Sequence, residues 1–432
     1  MNVRFEPSGP LRGTIRPPAD KSISHRAALF GAMSDTPVLV SNFLDSEDTN
    51  STLAAVHALG AGLDRTDGDL VVRGVGLHAP LGTTGGFLDV GNSGTLLRLL
   101  PGWLAGQPGG RWTLDGDESI RRRPVDRIVE PLRRMGAKVE AREDRFTPLT
   151  VEGGRLKGIE YELPVRSAQV KSCLLIAGML AEGTTTVIEP GPSRDHTERF
   201  LRRARVPFTQ EGDRLTVSQV DELELEQVSV PGDPSSAAFF VAAALLVPGS
   251  RIVVADVGLN WTRTGFFRIA QRMGAVVVGD LEEPGTVADH EPAGELDVAQ
   301  APLAGTEVTP DEVPLAIDEL PLVALLGCFA EGETVVRGAG ELRVKESDRI
   351  AGVVEGLRGL GADIEAFEDG FAVRGTGGLE GGVLDALGDH RLAMLGAVAG
   401  LASRRGVEVV GMEAAAVSYP GFTDDLRALL GR

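Results

Sequence analysis

Lysine and arginine recur in this chain where a helix is about to begin. Six short polar clusters each precede an apolar run of about a dozen residues: KSISHR from Lys21, GNSGT from Gly91, RSAQVKS from Arg166, GDPSS from Gly232, IDELP from Ile317 and DHR from Asp389. Ser, Asn and Asp in such places read as ordinary N-caps. Cations do not. In a first turn they oppose the helix macrodipole by a few tenths of a kcal/mol to about 1 kcal/mol, so Lys21, Arg26, Arg166, Lys171 and Arg391 call for an offsetting anion. Unpaired backbone N–H groups at several helix starts, joined by such cations, make a site for phosphate and carboxylate. Two further clusters add charge. GDESIRRRP, from Gly116 to Pro124, puts three arginines before a proline in an expected loop. LRVKESDR, from Leu342 to Arg349, precedes an amphipathic helix and is compatible with an exposed helix start capped by Ser347.

The elements that must position these clusters repeat. Short β-branched strands begin at Thr36 (TPVLV), Arg111 (RWTL), Thr184 (TTTVI), Ser250 (SRIVV), Glu333 (ETVVR) and Val407 (VEVVG), roughly every 73 residues, so six units fill the chain. An amphipathic stretch ending in Gly-Ala leads into another strand at Ala58 (ALGAGL), Arg134 (RMGAKVE), Arg272 (RMGAVVV) and Gly359 (GLGADIE), with a weaker copy at Arg203 (RARVPF). Two helices and several strands per unit predict an α/β protein rather than a helical solenoid. Six units divide into two domains of three, and the turn residues of Gly232 to Ser236, near the midpoint, suit a crossover.

Composition narrows the function. At 432 residues the chain exceeds what one core usually serves, which predicts two domains of roughly 200 residues. A net charge of -19 repels nucleic acid and anionic membranes. The longest apolar run, Ala237 to Val247, is about half of the roughly 20 residues a membrane helix needs. MNVRFEPSGP is not a signal peptide and already alternates like a strand, so a cytoplasmic protein is expected. Cys173 and Cys328 have no partner at metal or redox spacing and read as buried thiols. From Met273 to Val336 there is no Lys or Arg, so the cations are unevenly spread.

DKSISHRA, GNSGTLLR, GDESIRRRP, SAQVKS, SRDHTE, IDELP, LRVKESDR and GDHRLAM, in that order, resemble the EPSP synthase family of enolpyruvyl transferases over essentially the whole chain. The resemblance implies an inside-out, barrel-like α/β fold of six βαβαββ units. These form two three-unit domains, 21–231 and 1–20 plus 232–432, with crossovers near 19–21 and 230–234, that close on substrate. It implies transfer of an enolpyruvyl group from phosphoenolpyruvate to shikimate 3-phosphate. Shikimate 3-phosphate would meet Lys21, Ser22, Arg26, Ser167, Ala168, Gln169, Arg194, Asp318 and Lys345. Phosphoenolpyruvate would meet Lys21, Asn92, Gly94, Arg123, Gln169, Arg349 and Arg391. No metal and no other cofactor is implied; the enzyme would act as a monomer, without nucleic acid or membrane.

Of the catalytic residues so implied, Asp318 would be the general base, and its cation-free stretch argues that no neighbour depresses its basicity. Glu319 could fill that role by sequence alone; only the family motif favours Asp318. Glu346 would handle the proton at the methylene carbon, and Lys21 would stabilise the departing phosphate and could protonate it. The related transferases acting on UDP-N-acetylglucosamine carry Lys-Asn in place of Lys21-Ser22 and usually a cysteine in the arginine-rich loop, and neither is present. RNA phosphate cyclases are opposed by the acidic charge and the eight motifs. A non-catalytic phosphate binder is opposed by Asp318 and Glu346 beside the cations. Two departures stand out. Val417-Ser418-Tyr419-Pro420 replaces a family Lys-Thr-Phe-Pro run, and Leu99 replaces a common proline, while Gly94 keeps the small residue that leaves room for glyphosate.

Overall fold

The structure is a computed structural model and describes residues 1–66, 68–78 and 85–431. The chain divides into two compact units. The first comprises Ala19–Val230 with Val287–Glu291, and the second Met1–Pro18, Pro231–Thr286 and the chain from Pro292 onward. Each has its own apolar core.

Within the first unit the same sheet is built three times, twice from one continuous βαβαββ run. Gly85–Asp89 runs parallel to Arg111–Asp115, which pairs antiparallel with Phe146–Glu152 and through it with Lys138–Arg142. Glu160–Glu162, Thr184–Ile188, Arg214–Ser218 and Phe208–Glu211 repeat that order. The parallel pair needs a crossover, and a helix supplies it. In the remaining sheet the leading strand comes from the other end of the segment: Gln227–Ser229 lies parallel to Val38–Ser41, followed by Asp69–Arg73 and Gly62–Thr66.

The second unit follows the same plan with one abbreviation. Two sheets are four-stranded, led by Arg12–Ile15 beside Arg251–Gly258 and by Glu307–Val308 beside Glu333–Val336. The last has three strands: Gly382–Asp385 is parallel to Val407–Val410, and Asn2–Phe5 takes the antiparallel place that a hairpin fills elsewhere. Six sheets among the described residues give the expected α/β repeat fold.

The crossover helices are Lys21–Met33, Gly94–Ala105, Ala168–Leu180, Pro234–Leu246, Leu320–Phe329 and His390–Ala402. They are apolar nearly all round, which demands burial on every side. Pro234–Leu246 is the extreme case, with every residue buried. Each lies on its own sheet and packs on the crossover helices of its unit, so helices are inside and sheets outside. In the first unit the helix starts are less enclosed, with Lys21, Ser22, Thr95, Ala168 and Gln169 half-buried, and these are where the polar clusters sit.

The Gly-Ala signature is a helix C-cap. Gly60, Gly136, Gly274 and Gly361 have φ of 106°, 104°, 98° and 99°, and the following alanine N–H reaches back to the carbonyl five residues earlier. That is the Schellman arrangement, which requires a left-handed residue. In the weaker copy Arg205 takes the same conformation with φ 55°, and Val206 makes the same bond to Leu201.

Both cysteines are buried and unpaired, and burial pushes the Cys328 thiol up to about 12. No helix among the described residues is long and apolar enough to cross a membrane.

Candidate active site

In the first unit, three crossover helices begin with side-chain caps. Asp20 accepts from the Ile23 N–H, Ser93 from Leu96 and Ser167 from Val170. These caps place Lys21 and Ser22, Gly94, and Ala168 and Gln169 in first turns, where backbone N–H groups have no acceptor within the helix.

Lys21 Nζ donates to Asp48 at 2.7 Å, and the ring of buried His25 lies 3.1 Å from the other Asp48 oxygen. Burial alone would raise the Asp48 carboxyl, but the charges of Lys21 and His25 outweigh it and hold the group far below the usual carboxylate range. Arg26 is 2% exposed and donates to Thr197 Oγ1, Ser172 Oγ and the Ser22 carbonyl at 2.7, 2.9 and 3.0 Å. Burial lowers its pKa to about 10 against the opposing charges of Glu198, Asp20 and Glu291, with half-buried Arg194 adding to the fall.

Arg98 stands within GNSGTLLR but was not among the predicted site residues. It donates to the Gly94 carbonyl, Gln169 Oε1 and the Pro124 carbonyl at 3.1, 3.2 and 3.0 Å, so one guanidinium joins three motifs. Gln169 in turn donates to Thr95 Oγ1 at 3.2 Å. Two guanidinium groups crowd Gly94: a Cβ there would lie 2.6 Å from Arg123 Nη1 and 3.0 Å from Arg98 Nη1. Asn92 Oδ1 is a buried acceptor without a hydrogen-bond partner.

The second unit gathers Asp318, Lys345, Glu346, Arg349 and Arg391. Asp389 caps helix His390–Ala402 and Asp348 caps helix Arg349–Gly359. Arg349, 1% exposed, is the hub: Nε donates to Asp389 at 2.7 Å, Nη1 to Asp318 at 3.1 Å, and Nη2 to Glu346 at 2.6 Å and Asp389 at 3.2 Å. Burial would lower its pKa, but Asp389, Glu346 and Asp318 raise it further still. Asp318 also meets Lys345 Nζ at 3.4 Å and Arg391 Nη2 at 3.8 Å. Arg391 reaches the Asp318 carbonyl at 3.0 Å and Glu319 at 3.4 Å.

Four expectations change. The cation-free stretch around Asp318 is a property of the chain, not of space, because folding brings Lys345, Arg349 and Arg391 to its carboxyl group. Lys171 needs no bound anion: it is fully buried between Glu189 at 3.0 Å and Glu198 at 2.5 Å. GDESIRRRP is not all loop, since Glu118–Arg122 forms a short helix with Arg123 just after it, and Arg121 is paired with Asp115 at 2.8 Å. Ser347 is not the cap of the following helix; it donates to Asp389 at 3.0 Å and Asp348 does the capping. Glu319, which sequence left level with Asp318, is 2% exposed and accepts from Ser235 Oγ, which separates the two carboxylates.

Val417 stands where the family run would carry its lysine, and Tyr419, two residues on, is buried against Phe240 and Phe422, its hydroxyl donating to Asp425 at 2.6 Å. No cluster of His, Cys, Asp and Glu among the described residues has metal-binding form.

Comparison with known proteins gives one family. The model for EPSP synthase (3-phosphoshikimate 1-carboxyvinyltransferase) matches residues 5–426. A 3-phosphoshikimate 1-carboxyvinyltransferase of Bacillus licheniformis is 45% identical over 421 residues, 97% of each chain. One from Desulfitobacterium hafniense is 46% identical over 428 residues, 98% of this chain and 96% of its own. Among solved structures, EPSP synthase from Acinetobacter baumannii superposes with a TM-score of 0.87 at 39% identity, covering 99% of this chain and 98% of that one. The enolpyruvyl transferase NikO from Streptomyces tendae, at 20% identity and TM-score 0.78 over 99% of this chain and 96% of its own, shares the fold.

Proposed function

The chain belongs to the EPSP synthase family, and from that premise we propose how its two clusters divide the family's reaction. The enzyme transfers the 1-carboxyvinyl group of phosphoenolpyruvate to the 5-hydroxyl of shikimate 3-phosphate and releases phosphate, on the route to chorismate and the aromatic amino acids. The hydroxyl oxygen attacks C2 of phosphoenolpyruvate as the methylene carbon takes a proton. The tetrahedral adduct then loses phosphate and a methyl proton to restore the double bond.

Asp318 accepts the hydroxyl proton, and the surrounding cations hold it in one orientation. Glu346 serves the methylene carbon, fixed by its bond to Arg349. Lys21 stabilises the leaving phosphate. Ser22, Arg26, Ser167, Ala168, Gln169 and Arg194 bind shikimate 3-phosphate together with Lys21, Asp318 and Lys345. Lys21, Asn92, Gly94, Arg123, Gln169, Arg349 and Arg391 bind phosphoenolpyruvate. Arg349 serves chiefly by holding Asp318, Glu346 and Asp389, because its bonds to them leave one Nη1 hydrogen for a ligand. Asn92 offers its amide group, whose oxygen otherwise lacks a partner. A cytoplasmic monomer without macromolecular partners completes the reading.

The observation that carries it is Asp318, a carboxylate held by Lys345, Arg349 and Arg391 rather than exposed to solvent. The test is to mix purified protein with both substrates and follow phosphate release. Release only when UDP-N-acetylglucosamine replaces shikimate 3-phosphate would move the chain to the sister reaction, and release with neither would leave a binding protein.

A further inference from the structure

Val287–Glu291 groups with the first unit, although the chain before and after it groups with the second. This strap is tied at three points to helix His196–Arg203. Arg202 Nη1 donates to the Ala288 carbonyl at 3.3 Å and Arg199 Nη1 to the His290 carbonyl at 2.7 Å. His196 Nδ1 lies 2.6 Å from Glu291 Oε1, with the two side chains only 1% and 7% exposed. An ionised carboxylate can only accept, so His196 Nδ1 carries the hydrogen. Removing a carboxylate from water to this extent is unfavourable without such a donor.

The residue after His196 is the one that grips the substrate arginine. Thr197 Oγ1 accepts from Arg26 Nε at 2.7 Å and shares a hydrogen bond with Ser172 Oγ at 2.6 Å. Asp195, at the N-cap position, makes no side-chain cap bond and instead accepts from Arg199 at 2.9 Å. The first turn of this eight-residue helix is therefore held from outside, by the strap. Displacing it would displace Thr197 and with it the Arg26 guanidinium, beside which Arg194 sits closely enough to disfavour its charge.

We propose that Glu291, acting through His196, is a positioning residue for the shikimate 3-phosphate subsite. The inference deepens the functional reading above and rests on it. Charge alone predicts the reverse effect, since Glu291 offsets the positive field of Arg26 and its loss would draw an anion more strongly. Glu291→Ala and Glu291→Gln separate the two, because the glutamine oxygen still accepts from Nδ1 while the charge is gone.

In steady-state assays of phosphate release, Glu291→Ala should raise the KM for shikimate 3-phosphate roughly tenfold, with kcat and the KM for phosphoenolpyruvate within about twofold of wild type. Glu291→Gln should restore that KM to within about threefold. If the alanine protein does not fold, Glu291→Asp takes its place: it keeps the charge but shortens the reach by one methylene, and should still raise this KM more than Glu291→Gln does. Equal shifts in Glu291→Ala and Glu291→Gln, a lowered KM in both, or a fall in kcat without a KM change would overturn the proposal. Wild-type protein inactive on both substrates would overturn the functional reading itself, whereas an active wild type with unaltered variants would overturn this inference alone.

Discussion

The two clusters hold their arginines in different ways. In the first unit Arg26 and Arg98 donate to hydroxyls, an amide oxygen and backbone carbonyls, all of them neutral. In the second, Arg349 donates to Asp318, Glu346 and Asp389. A neutral brace fixes a guanidinium and leaves its charge to act on a ligand, whereas a carboxylate brace cancels the charge and leaves an ordered set of proton-carrying groups. In the proposed reading phosphate binding accordingly belongs chiefly to the first cluster and acid–base work to the second. Within the first cluster Lys21 is instead paired with a carboxylate, Asp48, which suits a group proposed to have a catalytic as well as a binding task.

The largest test of that division is Asp318→Asn. It keeps the shape and removes the base, so kcat should fall roughly a thousandfold, within the range for loss of general base catalysis, while both KM values move only a few-fold. A KM effect without a kcat effect would show that Asp318 belongs to binding. Next in size, Lys21→Ala should lower kcat roughly a hundredfold and raise KM for phosphoenolpyruvate, because it removes charge from the leaving phosphate and leaves buried Asp48 with His25 alone. Turnover within a few-fold of wild type would end the assignment.

Much of this division could be read from residue types, and the part that could not has a common cause. The six units were legible because apolar helices and β-branched strands impose periods that composition records, and the Gly-Ala signature was visible because a Schellman turn needs a left-handed residue. The weak copy at Arg205 is the same turn with glycine replaced, so residue type concealed a conserved geometry within the chain. Failures came from distance. Asp318 stands 27 residues from Lys345 and 73 from Arg391, so a cation-free stretch of sequence became a place lined by cations. Lys171 was assigned to an anion because its partners Glu189 and Glu198 are 18 and 27 residues away on other elements. Glu291 has no sequence signal at all: its partner His196 lies 95 residues earlier.

Gly94→Ala examines the first cluster on a finer scale. The added methyl would meet Arg123 Nη1 at 2.6 Å, and a guanidinium at the end of a flexible side chain can yield. Displacement of Arg123 should raise the KM for phosphoenolpyruvate roughly tenfold and leave that for shikimate 3-phosphate within about twofold. Equal changes in both would mean that the helix start as a whole had moved.

The smallest effect concerns protons rather than ligands and contrasts two buried carboxylates. Burial raises Glu198 from 4.5 to about 7 despite Lys171, whereas Arg349 holds Asp389 below its ordinary value against the same burial. Between pH 4.5 and about 7 the folded chain binds a proton at Glu198 that the unfolded chain has lost, so this group's stabilisation is present at acid pH and disappears as pH rises through 7. Asp389 acts in the opposite sense: its contribution is present above the ordinary carboxylate range and is lost as pH falls through its depressed pKa. Lys171, whose pKa is raised from 10.5, stays charged throughout this window. Glu198→Gln, neutral at every pH, should therefore flatten the decline in Tm between about pH 5 and about pH 8, by a few degrees at most for a chain this long. Thermal unfolding at the two pH values decides it, because an unchanged slope would place the titrating proton elsewhere and remove the contrast with Asp389.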